Sequence, residues 1–339
     1  MDTTSAERIF KAYRTGLLKK PKPSLGRNPD FQRLISLVVL DRFPLRERIC
    51  FRRIWNTSWL GLSAVRDGRL EDAGRLFKTG EEELARVGPG SSGGLLGLSI
   101  LESARAYLDY REGKFEQAQA RTHAAMRADL MLEQDGAFGM LELHRIQAAH
   151  NLVRIGLRAG EPLRALSLAG NILGYLEGHL AVLPVHEDWR QRWLEQTPCI
   201  LRRRMIAQVT DEVAMALVAN QEEEAWEAFF ASVEPWLHAA KAGIHPQARL
   251  WIETTAARFA GDSLRYVTLL GDFLAAGRND VTALWYSCIT HFIDFCDIEN
   301  SPLSRYVKAA ILKDSAKWPA VPQAFRSCLN LYSDGADSR

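Results

Sequence analysis

The chain has 339 residues, of which 47% are hydrophobic and 25% charged, and its formal net charge at pH 7 is +2. That balance excludes wholesale disorder, and near-neutrality removes any bulk electrostatic argument for binding nucleic acid or a membrane surface. The length accommodates two ordinary domains or one elongated repeat domain.

Five cysteines (Cys50, Cys199, Cys288, Cys296 and Cys328) are scattered, odd in number and free of any CxxC pair, which fits a reducing compartment. The opening stretch MDTTSAERIFKAYRTGLLKK lacks the apolar centre of a signal peptide, and no run of 18 apolar residues follows. The expectation is a soluble cytoplasmic protein with no membrane insertion.

Residues 1–52 read as an N-terminal helical cap. Ile9, Tyr13 and Leu17 have helical spacing behind a Thr4 or Ser5 N-cap. A basic Pro/Gly connector, KKPKPSLGRNPD, follows, with Lys19, Lys20, Lys22 and Arg27 read as a solvated loop, and helical spacing resumes at Phe31, Leu34, Ile35 and Val38. Residues 53–300 then alternate helix, turn and helix. The turns fall at Gly68, Gly113, Gly160, Asn220 and Gly261. Most steps sit near the ~34–47 residues usual for helical-hairpin repeats, and the long step from Gly160 to Asn220 carries an insertion at 174–199. That insertion has its own turn at Leu183-Pro184, and its Trp189 and Trp193, like Trp236 beyond it, read as core. Residues 301–339 read as a capping helix started by Ser301-Pro302, with SDGADSR as a frayed tail. β-branched alternation is scarce throughout, so the fold class is all-α, an α-solenoid of stacked antiparallel helical hairpins.

These hairpins resemble the tetratricopeptide-repeat family. Its pattern places a small residue in the first helix, a turn glycine seven residues later, a small residue five further on and a bulky one four after that. Gly61, Gly68, Ala73 and Phe77 fit, and Ala106, Gly113 and Ala118 fit with Thr122 in the bulky place. Val153, Gly160 and Ala165 follow, as do Val213, Asn220, Ala225 and Phe229. The resemblance spans residues 54–275, with irregular repeat lengths. It implies a concave groove that binds a protein or peptide partner. By register, the groove-facing residues are Arg66, Tyr107, Tyr110, Arg111, Asn151, Arg154, Arg158 and Arg258.

Arg66, Arg111 and Arg158 each stand two residues before a turn glycine. Such a ladder can grip an acidic or carboxylate-bearing segment through forked bonds, and it can equally complement three helix dipoles without any ligand. Asn151, Arg154 and Arg158 share one helix face.

Other motifs read as structural. Cys288, His291 and Cys296 lack an evident fourth metal ligand and read as buried side chains. His144 and His150 do not share a helix face, His179 and His186 read as solvent-facing, and both Glu81-Glu82-Glu83 and Glu222-Glu223-Glu224 as solvated helix starts or faces. The GxGxxG spacing of Gly88, Gly90 and Gly93 follows no strand and reads as a linker. No catalytic residue, metal or cofactor is assigned, and no basic helix-turn-helix suggests nucleic acid. The sequence thus points to a non-catalytic scaffold or adaptor. Its alternatives are a ligand-sensing regulatory repeat protein, or a subunit of a biosynthetic or modification pathway using the 174–199 insertion.

Overall fold

The computed structural model describes residues 3–19, 29–88, 90–134, 138–179, 181–185, 189, 194, 197–219, 223–238, 243–278, 281–318 and 321–334. Among them lie fifteen helices and no strand. In order these are α1 (Thr3–Leu18), α2 (Pro29–Arg42), α3 (Leu45–Arg66), α4 (Leu70–Val87), α5 (Ser92–Arg111) and α6 (Phe115–Glu133). Next come α7 (Leu141–Ala159), α8 (Pro162–Leu176), α9 (Cys199–Ala219), α10 (Glu223–Leu237) and α11 (Pro246–Phe259). The last four are α12 (Ser263–Ala276), α13 (Thr282–Glu299), α14 (Pro302–Ser315) and α15 (Gln323–Asp334). No described helix is long and apolar enough to cross a membrane.

Two compact units result, Arg27–Pro198 on the one hand and Met1–Gly26 with Cys199–Arg339 on the other. In the unit Arg27–Pro198, α3 packs on α4 and α5, α5 on α6, α6 on α7, and α7 on α8. The turns that reverse the chain at Gly68, Gly113 and Gly160 all have positive φ (79°, 78° and 84°), a backbone state that glycine adopts without penalty. The close approach within the first hairpin has an identifiable cause. A Cβ on Gly61 would lie 2.3 Å from the Phe77 ring, so the missing side chain is the space that the ring occupies. Ala73, Ala118 and Ala165 are buried at the matching places of their hairpins. At the other end of the helix order, Ile35, Val39 and Phe43 of α2 join Phe51, Leu96, Leu132, Phe138 and Leu141 in one apolar cluster.

The second unit brings together helices that are far apart in sequence. α1 packs on α12 and α14. Gly16 makes the α1–α12 approach possible, since a Cβ there would fall 2.0 Å from the Leu274 carbonyl oxygen. Tyr13 then enters an aromatic core with Trp285 at 5.8 Å and Trp318 at 6.4 Å, and its hydroxyl donates to Asp314 at 3.0 Å. The expected cap of residues 1–52 is therefore divided, with α1 in one unit and α2 in the other. A helical reversal occurs at Gly261 (φ 72°), and Ser301 caps α14 by accepting from the Ser304 N–H at 3.1 Å, with Pro302 in the first turn. Beyond α14, where the sequence reading has only a capping helix and tail, α15 adds Phe325, Cys328 and Leu329 to the core. The expected turn at Asn220 lies outside the described residues, as do Lys20, Lys22, Arg27, His186, Trp193 and Glu222.

Candidate functional site

Six of the eight residues expected to face a groove come together in the C-terminal halves of α5 and α7. Tyr107 and Tyr110, one helical turn apart on α5, stack with ring centroids 6.1 Å apart at 22°. Beneath them a narrow cleft of about 50 Å³ is bordered by Asn151, Arg154 and Ile155 of α7. The small side chains Ser103, Ala106 and Thr122 also line it. Thr122 replaces the bulky residue of the repeat pattern, and its hydroxyl turns inward to donate to the Ala118 carbonyl at 2.7 Å. The small residue leaves the cleft open.

The arginines of the ladder make aromatic and hydroxyl contacts. Arg158 lies over the Tyr110 ring at 5.0 Å, Arg111 donates to the Tyr107 hydroxyl at 3.4 Å, and Arg66 lies 5.8 Å from the Trp59 ring centroid. None of the three has a carboxylate partner among the described residues. All three stand in the last turn of their helices, where the dipole favours a cation. The dipole explains their position but leaves most of their N–H groups uncommitted.

Neighbouring charges are committed inward, in a network that the sequence did not disclose. Arg105 bonds Glu81 and Glu102, and Arg121 holds Asp109 at 2.6 Å and Glu102 at 2.9 Å. Arg145, with no exposed surface, grips Glu133 through two bonds of 2.7 and 2.6 Å and lies 4.1 Å from the Trp189 ring centroid. Glu81 and Glu83, read as a solvated face, are instead ion-paired, Glu83 with Arg53 at 3.2 Å and Arg86 at 2.7 Å. Only the interhelix geometry brings Arg145 to Glu133 and Arg121 to Glu102, so periodicity could not have found them.

Ser99, His144 and Asp129 have the residue types of a nucleophilic triad. Both contacts, Ser99 at 3.2 Å and Asp129 at 2.7 Å, converge on the same imidazole nitrogen, Nδ1. A triad needs the base on one nitrogen and its orienting carboxylate on the other. Ser99 and Asp129 are also fully buried, so this group ties α5, α6 and α7 together. Burial pulls the His144 pKa down, but the charge and hydrogen bond of Asp129, aided by Glu133, outweigh it and leave the imidazole above its ordinary value.

The GxGxxG stretch is also committed internally. The Gly93 N–H donates to the Glu47 carboxylate at 2.9 Å, and Ser91 accepts from the Gly94 N–H at 3.1 Å. A carboxylate of the chain itself thus stands at the start of α5, where an anion would bind. The insertion contributes Val182, Leu183 and Pro184 to one side of a cavity of about 380 Å³ with His123, Arg164 and Asn171.

The remaining candidate, Arg258, belongs to the other unit. It ends α11 and donates to Asp294 of α13 at 3.1 Å, beside His291. Cys288 and Cys296 are buried, burial raises both thiol pKa values, and no group of three His, Cys, Asp or Glu arranged to hold a metal occurs among the described residues. Compared with family descriptions, curated proteins and solved structures, the chain has no match.

Proposed function

We propose that the chain is a cytoplasmic, non-catalytic scaffold of tetratricopeptide-like stacked hairpins, and that its α5–α7 face binds an acidic or carboxylate-bearing peptide segment of a partner protein. Arg111 and Arg158 orient the carboxylates, Tyr107 and Tyr110 supply apolar contact, and Asn151 and Arg154 border the cleft that receives a side chain. The observation that carries this reading is that the exposed Arg66, Arg111 and Arg158 have no carboxylate partner among the described residues and that Arg111 and Arg158 lie on Tyr107 and Tyr110 beside the cleft. Arginine forks recognise carboxylates by two parallel bonds, and aromatic neighbours hold the guanidinium planes in place before binding.

The test is binding of fluorescent peptides bearing acidic residues and a free C-terminus, measured by anisotropy. Arg111→Ala/Arg158→Ala is expected to weaken the best peptide by about tenfold or more, since each charge-assisted bond contributes about 1.5–3 kcal/mol. Equal affinity for wild type and double variant would make the ladder a helix-dipole device alone.

A further inference from the structure

We propose that the C-terminal unit holds a second binding site, in the cavity bordered by Arg258, Trp226 and His291, for a small monocarboxylic acid with an apolar body. The cavity measures about 290 Å³, the lower end of the range for small-ligand pockets. It is built from five helices, α9, α10, α11, α13 and α15, and its walls differ in chemistry.

Most of the exposed lining is polar, and its apolar part comes from Leu217 and Val218 of α9 and Trp226 of α10. Phe230 at 5.9 Å and Phe259 at 6.2 Å stack on the indole of Trp226 and fix its plane. The rest of the lining is rich in hydrogen-bond donors. Asp294 already accepts on both oxygens, from Arg258 on Oδ2 and from the Tyr332 hydroxyl on Oδ1. Arg258 spends one of its five N–H groups on that bond and forms no other among the described residues. His291 is 5% exposed, and its imidazole makes no hydrogen bond to any described residue, only a ring contact with Trp226 at 5.1 Å. Burial first, and Arg258 second, hold its pKa well below the ordinary value, so it is neutral and carries one N–H donor. Cys328 stays a thiol, its pKa pushed up to about 11.

The His291 nitrogens are not closed off from the cavity, so a polar group placed there can pair with them. The uncommitted capacity is mostly donor, so the ligand's polar end is an acceptor. A carboxylate matches the guanidinium fork and leaves an oxygen for His291, while Leu217, Val218 and Trp226 contact the apolar body. This site is independent of the α5–α7 face, and it makes Arg258 a ligand-binding residue in a different place from the other seven candidates.

Calorimetric titration of the full chain with phenylacetate, phenylacetamide and acetate tests it. Phenylacetate is expected to bind with Kd of about 1 mM or tighter, a modest demand for a molecule of that size. The amide, lacking the charge, and acetate, lacking the body, should each bind at least about tenfold more weakly. Arg258→Gln and the cavity-filling Val218→Phe should each weaken phenylacetate by about tenfold or more. The second variant leaves the Arg258–Asp294 pair in place. Arg111→Ala/Arg158→Ala should leave this affinity unchanged. Equal affinity for acid and amide, no heat up to about 10 mM phenylacetate, unchanged affinity in a folded Val218→Phe chain, or loss in Arg111→Ala/Arg158→Ala would each overturn the assignment. Should Arg258→Gln fail to fold, the acid–amide comparison on the wild type still decides.

Discussion

Glu142 illustrates how far a single residue departs from what its type suggests. It stands in the first turn of α7, a favourable place for an acid, yet it is buried and accepts a hydrogen bond from Tyr175. Its second oxygen, Oε2, has no partner among the described residues. Burial is the main cause that lifts its pKa to about 7, with Glu133 adding to the rise and the Tyr175 bond and Arg145 opposing it. The folded state therefore binds the proton more tightly than the unfolded chain does. Stability is greatest below the unfolded pKa and falls as pH rises from about 4.5 to about 7, by on the order of 3 kcal/mol for this group. His144, raised by Asp129, acts in the same direction: its contribution is present below pH ~6.5 and is lost as pH rises through its higher folded value. Glu142→Gln keeps an acceptor for Tyr175 and removes the ionisation. Thermal melts at pH 5 and pH 8 should then find the variant more stable than wild type at pH 8 and no better at pH 5. A difference that does not change with pH would mean that burial does not shift the titration of Glu142 into this range.

At the scale of the element, the first hairpin rests on one absent side chain. Alanine is a better helix former than glycine by about 1 kcal/mol, so propensity alone favours Gly61→Ala in the interior of α3. The new Cβ meets the buried Phe77 ring at 2.3 Å, and overpacking of this kind costs about 1–3 kcal/mol. A net loss of stability in urea unfolding is expected, with part of it restored by Phe77→Leu in the same chain. A stabilised Gly61→Ala would mean that the ring moves aside freely. The sequence displayed this pairing through the repeat pattern, because both residues lie in one hairpin and the contact is local. It displayed the turns for the same reason. It did not display α15, whose Phe325, Cys328 and Leu329 carry too short an apolar pattern to be separated from a tail.

For the molecule as a whole, the notable association is that of α1 with α12 and α14. It rests on Gly16 against Leu274, Tyr13 in the aromatic core, and Arg14 with Asp314 at 3.2 Å. Removing residues 1–18 should expose that core, and amide hydrogen exchange should rise in α12 and α14 while α3 to α6 keep their protection. Unaltered exchange in α12 and α14 would show that α1 contributes no stability to its unit.

The helices other than α15, the glycine turns at 68, 113, 160 and 261 and the cap at Ser301-Pro302 were determined by the sequence itself. Each depends on residues within one or two turns, where the 3.6 period and the φ preference of glycine act directly. The tertiary structure alone decided that α1 joins the unit completed by Cys199–Arg339, and that Arg145 and Arg121 face carboxylates on other helices. It also placed Arg258 beside His291 and Asp294 instead of with the ladder. Those pairings join residues with no shared period, and only packing selects which helix faces meet.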